Sequence, residues 1–256
     1  MSAGDPQPSP RKTALRLNLF TLWLARHWLS AFLVFLGVFI ALPIIAPTFM
    51  RLGLEGPGRV IYSMYAPFCH QFPFRSFFLY GEQPVYPRAS TESGWTPYEV
   101  YTESLPEFSD FSPADEFTSL DWILAQKNFV GNAQMGYKMT LCERDIMIYT
   151  GLFAGALLYS IPVVRRRLRP VPLWLYVILG LGPIGIDGFS QLLGYPPFNL
   201  WPPRETLPIF RVVTGGLFGL MTAWLAVPYV DAGMKDTRRE IEMKLRRRGI
   251  PLPASR

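Results

Sequence analysis

Along the 256 residues, long charge-free apolar runs alternate with short basic clusters and one extended polar stretch. A helix rises 1.5 Å per residue, so about 20 apolar residues cross a hydrocarbon core about 30 Å thick. Four runs match or approach that length: Trp28 to Met50, Ile146 to Val164, a third from Val171 that continues past Asp187, and Val212 to Val230. The pattern predicts an all-α membrane protein with four transmembrane helices. In the third run Asp187 either ends the span or is buried inside the bundle, and both options put it near one membrane face. Arg11, Lys12, Arg16 and Arg26 precede the first run, the layout of a signal peptide. Its apolar core is too long for that, and no small-x-small cleavage site follows, so it is read as an anchor.

The remaining segments have their own character. Residues 57–81 are apolar and aromatic with Pro67 and Pro73 interrupting, which predicts a broken helix that is interfacial or re-entrant. Residues 82–140 are rich in Pro, Ser, Tyr and acidic residues. They predict an extracytoplasmic insertion of short strands or loops, with no clean helical period before about Ser119. Residues 1–27 form an N-terminal arm whose Pro6, Pro8 and Pro10 predict disorder up to about residue 15, followed by a surface helix from Thr13 to His27. Residues 231–256 form a basic tail with a thin apolar face (Met234, Ile241, Leu245), expected to be a solvated flank of the last span. The membrane domain proper is then 28–230.

Composition agrees with the pattern: 50% of residues are hydrophobic and only 17% charged. Charge adds the orientation. Lysines and arginines concentrate in the N-terminal arm, in the turn at Arg165 to Pro170, and in the tail. Four alternating spans put all three clusters on one side, which the positive-inside rule assigns to the cytoplasm. The expectation is a multi-pass plasma-membrane protein with both termini cytoplasmic and the lipid bilayer as its main partner. The net charge of +6 therefore reports topology. It argues against nucleic acid, because no basic face with interleaved aromatics lies outside these positions.

The candidate chemistry gathers at the outer ends of the spans. Cys69, His70, Gln71 and Arg75 follow the first span, and Cys142, Arg144 and Asp145 precede the second. Asp187 and Gln191 lie where the third exits, and Arg204, Arg211 and Thr214 where the fourth begins. Ionisable groups at one depth near hydrocarbon are expected to pair, so Arg75, Arg144, Asp187 and Arg211 form a supporting polar shell. The same arginines would also suit an anionic headgroup or phosphate. Gln71 and Gln191 would satisfy backbone groups of broken helices. The two cysteines admit three readings: metal ligands together with His70 and Asp145, a Cys69–Cys142 disulfide in an oxidising compartment, or two small buried hydrophobes. Adjacent Cys69 and His70 point about 100° apart on a regular helix, so both face one ion only if the chain is distorted there.

One dinucleotide-like pattern, GLGPIG at Gly180 to Gly185, sits inside a charge-free span and lacks the distant acid that would bind a ribose. These glycines, like Gly151 with Gly155 and Gly215 with Gly219, read as helix-packing positions.

The segments FCHQFPFRSFFLYG, GNAQMGYKMTLCERDIMIYTG, PIGIDGFSQLLG and LPIFRVVTGGLFG together resemble the predicted integral membrane family named domain of unknown function 2085, over roughly residues 60 to 225. Many members carry C-x-R-C where this chain has Cys142 to Asp145, so Asp145 is a departure. The resemblance implies a zinc-type shell of Cys69, His70, Cys142 and Asp145, and it implies no activity. The expected cofactor is a zinc ion on the metal reading, and none if the two remaining thiols pair. The functional expectations are a metal-binding membrane module, a metal-dependent membrane enzyme acting on a lipid or peptide at the outer leaflet, or a disulfide-stapled protein or small transporter.

Overall fold

The computed structural model describes residues 10–103, 105–112 and 116–252. In chain order it contains α1 (Pro10–Arg51), α2 (Glu55–Tyr65), β1 (Ser76–Leu79), α3 (Tyr98–Thr102), α4 (Leu120–Asn128), β2 (Gly131–Asn132) and β3 (Gly136–Cys142). Then follow α5 (Glu143–Ser160), α6 (Pro162–Arg167), α7 (Leu173–Leu192) and α8 (Pro208–Arg247). Within α7, Tyr176–Leu181 winds as a π-helix.

Helices α1, α7 and α8 are each long and apolar enough to cross a membrane. Helix α5 has 18 residues, and Glu143, Arg144 and Asp145 occupy its first turn, which shortens its apolar stretch. The α5–α8 pair is the tightest contact because glycine removes the side chains between the two backbones. A Cβ on Gly215 would lie 2.5 Å from the Arg144 carbonyl oxygen, and one on Gly219 would lie 2.0 Å from that of Ile148. These contacts advance together along both helices, so α5 and α8 run parallel. Helix α1 runs antiparallel to α5, with Phe39 against Tyr149 (4.7 Å between rings) and Trp28 packed near Ala156 and Tyr159. Helix α7 runs antiparallel to α8, since Tyr176 bonds Thr222 (3.2 Å) while Asp187, further along, pairs with Arg144 at the start of α5.

The structure corrects three expectations. The chain is not all-α: β1, β3 and β2 form an antiparallel sheet in which Ser76 pairs with Cys142 and Asn132 with Gly136. Segment 57–81 is accordingly a helix followed by a strand, because β1 finds a partner in β3 that a broken interfacial helix would lack. Finally, the described parts of both flanks are helical. Residues 10–15 are already helical, and the disorder expected for residues 1–9 lies outside the described residues. The tail of α8 packs on α1 through Arg26 and Glu242 (2.9 Å), with Leu22 and Leu245 both buried. A thin apolar face suffices there because α1 extends far enough to cover it.

The cap over one end of the bundle has an aromatic core of Phe72, Phe74, Phe78, Tyr98 and Trp122. Ser119 caps α4 by accepting from the Trp122 N–H (3.4 Å). At the other end, the fully buried Asp231 accepts from Trp28 (3.1 Å), Tyr159 (3.0 Å), Lys235 (2.8 Å) and Arg165, joining α1, α5, α6 and α8.

Candidate functional site

The site begins with the pairing of Ser76 and Cys142, which brings the end of β3 beside the segment ahead of β1. Gln71 adopts a left-handed backbone (φ 58°), a conformation unfavourable for a side chain with a Cβ. Its amide holds it there: Nε2 donates to the carbonyls of Tyr62 (2.9 Å) and Thr140 (3.1 Å). Lys138, fully buried in β3, donates to the carbonyls of Gln71, Lys127 (2.9 Å) and Gln126 (3.1 Å). Burial pulls its ammonium down to about 7.

This turn aims Cys69 inward. Its sulfur accepts from the N–H groups of Gln71 (3.4 Å) and Cys142 (3.3 Å). Cys142 is the last residue of β3 and takes the N-cap position of α5 with no side-chain cap bond, and Asp145, three residues on, returns to the same face. The donor atoms of Cys69, Cys142 and Asp145 all lie within 4.8 Å of one another, and both cysteines are free thiols. A hydrogen bond from the Cys142 thiol outweighs burial and holds Cys69 below the usual thiol range. The same bond, with burial, pushes Cys142 well up.

His70 departs from the expected ligand set. It is exposed, its ring lies 5.5 Å from that of Phe72, and it is not part of the three-donor cluster. It stays at the cavity's edge, lining the same space as Cys69, Cys142 and Asp145 without its ring nitrogens joining their donors.

The cluster opens into a cavity of about 400 Å³. His70, Gln71, Arg75, Arg144, Gln191 and Arg211 also line it. Asp187 stands behind, accepting from Arg144 and from Thr206 (2.7 Å), with Arg204 at 3.7 Å. Thr214 instead donates to the Phe210 carbonyl of its own helix (2.7 Å).

The centre of the shell is a residue that sequence reasoning missed. Glu205, between α7 and α8, accepts from Arg75 (3.1 Å at Nε), Tyr195 (2.6 Å), Gln191 and Arg211. Gln191 thus serves a side chain, whereas Gln71 serves backbone carbonyls. Burial opposes the charge on Glu205, but Arg75 and Arg211 outweigh it and hold the carboxylate below its usual range. Glu143 was also missed. It is buried, with Arg211 at 3.6 Å. The available signal for Glu205 was one acid in WPPRETLP, next to Arg204 and between two apolar runs.

Chemically, two sulfurs and a carboxylate oxygen suit a zinc-type ion. Bond lengths of about 2.0–2.3 Å put tetrahedral donors roughly 3.3–3.8 Å apart, within small side-chain adjustments of this cluster. Three donors would leave a fourth position of such an ion open.

No solved structure matches the chain. An uncharacterised protein of Methanocaldococcus jannaschii is 24% identical over 207 residues, covering 78% of this chain and 88% of that protein. Residues 127–225, from the end of α4 through the middle of α8, match the family of predicted membrane proteins named DUF2085.

Proposed function

We propose that this is a four-span membrane protein whose extracytoplasmic cavity holds a zinc-type ion on Cys69, Cys142 and Asp145. The alternating directions of α1, α5, α7 and α8 support four crossings, α5 being the short one. The basic residues of α6 and of the two helical extensions share the Asp231 end, which supports cytoplasmic termini and a plasma-membrane location. The observation that carries the metal reading is the convergence of three donors within 4.8 Å at the floor of a cavity.

His70 lines the same cavity but is not among the three clustered donors, so an ion held on those three alone keeps an open position. That favours a metal-dependent membrane enzyme over a closed structural site. An ion there would polarise a bound group or activate water. The chain's own residues position Cys69 through Gln71 and Lys138, and surround the open side with guanidinium groups.

The test is elemental analysis of the full chain purified in detergent without chelator, with a free-thiol count. About one zinc per chain, lost in Cys142→Ser, supports the reading. No metal and no free thiol in the wild type means a Cys69–Cys142 disulfide and overturns it.

A further inference from the structure

The cavity wall differs from its floor. Arg75, Arg144 and Arg211 come from three segments and line one space, while Asp145 is the only carboxylate among the described lining residues. Their acidic partners stand outside: neither Glu205, which holds Arg75 and Arg211, nor Asp187, which holds Arg144, lines the cavity. Carboxylates placed behind arginines fix the guanidinium planes, and Arg211 also gives Nη1 to the Phe74 carbonyl (3.4 Å) and faces Glu143 at 3.6 Å. In Arg144 the Nε is buried without a hydrogen-bond partner among the described residues, a costly arrangement unless something else accepts.

We infer that the arginine wall binds a phosphate-type oxyanion, presented to the open side of the metal cluster by Arg144 with Arg75 and Arg211. Three guanidiniums from separate segments match a group with three terminal oxygens better than a two-oxygen carboxylate. The orientation toward an ion rests on the metal reading, whereas the arginine wall stands without it. Phe68 and Leu192 also line the cavity and are 59% and 51% exposed, so one side of the site is apolar. A phospholipid headgroup with its chains against that side and a free phosphate share the recognised chemistry.

The experiment uses the full chain in detergent and in nanodiscs. Inorganic phosphate is titrated by calorimetry, and nanodiscs of phosphatidylcholine are compared with nanodiscs containing phosphatidic acid. Zinc content is measured on the same samples. The expected result is saturable binding that weakens about tenfold or more in Arg144→Gln and partly recovers in Arg144→Lys. Because Arg144 also holds Asp187, a second readout uses the wild type alone: phosphate or phosphatidic acid should protect Arg75 and Arg144 from phenylglyoxal. Protection by both probes identifies a free phosphate ligand, and protection by phosphatidic acid alone identifies a lipid. Retained zinc with neither binding nor protection overturns this inference and leaves the metal reading intact. Phosphate binding without zinc overturns the metal reading and leaves the arginine wall standing.

Discussion

Two carboxylate centres among the described residues are built from similar parts. Glu205 is held by two arginines, an amide and a phenol; Asp231 is held by an arginine, a lysine, an indole and a phenol. They sit at opposite ends of the apolar stretch of α8, since Arg211, which holds Glu205, and Asp231 are about 30 Å apart at 1.5 Å per residue, the thickness of a hydrocarbon core. Their surroundings differ. The cations on Asp231 are 36% and 54% exposed, and the carboxylate serves as a tie between four helices. The arginines on Glu205 are only 22% and 3% exposed and line a cavity next to three metal-type donors. Similar arrangements thus do different work: one closes a bundle end, and the other holds arginines around an open space.

The largest expected effect tests that difference. Glu205→Gln leaves Arg211 buried with its main counter-charge gone, and breaking such a pair costs about 3–5 kcal/mol. Thermal unfolding in detergent should show it, together with altered binding in the cavity. The pH dependence has a defined sign. A carboxylate held below its usual pKa contributes stability that is full above the ordinary glutamate value of about 4.3 and lost as pH falls through the folded one. Glu205→Gln should flatten that acid-side loss.

Asp231→Asn should cost less, about 1–3 kcal/mol, because Arg165 and Lys235 reach water once released. Zinc content should be unchanged in that variant. If Asp231→Asn destabilises as much as Glu205→Gln and also empties the metal site, the distinction between tie and cavity frame fails.

Lys138→Met sharpens the comparison within the cap. It strands the carbonyls of Gln71, Gln126 and Lys127, at about 1–3 kcal/mol, and releases the turn that aims Cys69. The expected outcome is zinc loss out of proportion to the change in melting temperature. The smallest effect belongs to Arg239→Ala on the tail. Its pair with Asp236 is 75% and 76% exposed, so stability should move by no more than about 0.5 kcal/mol.

Apolar runs are legible because membrane burial imposes a length on them, and α1, α7 and α8 follow directly from theirs. The polar rim is legible for a related reason: charges are excluded from the runs and collect at their ends. Strand β3 was hidden because GYKMTLC is largely buried on both faces, which removes the period-2 alternation that marks a half-exposed strand. Lys138, at its middle, reads in sequence as an exposed position, yet three carbonyls from elsewhere in the chain surround it. Glu205 and Asp231 were hidden for the same reason. Each is one acid in its own segment, and its partners come from segments up to 203 residues away. His70 shows the converse, since its residue type and the family resemblance placed it in the ligand set, and the fold brings it to the cavity without joining it to the three clustered donors.

The most direct test of the central claim is X-ray absorption at the zinc edge on the full chain in detergent. The account predicts two sulfur neighbours at about 2.3 Å, lighter oxygen-type neighbours completing the shell, and no imidazole scattering. A shell containing an imidazole, or a protein that takes up no zinc while both thiols stay free, would contradict it.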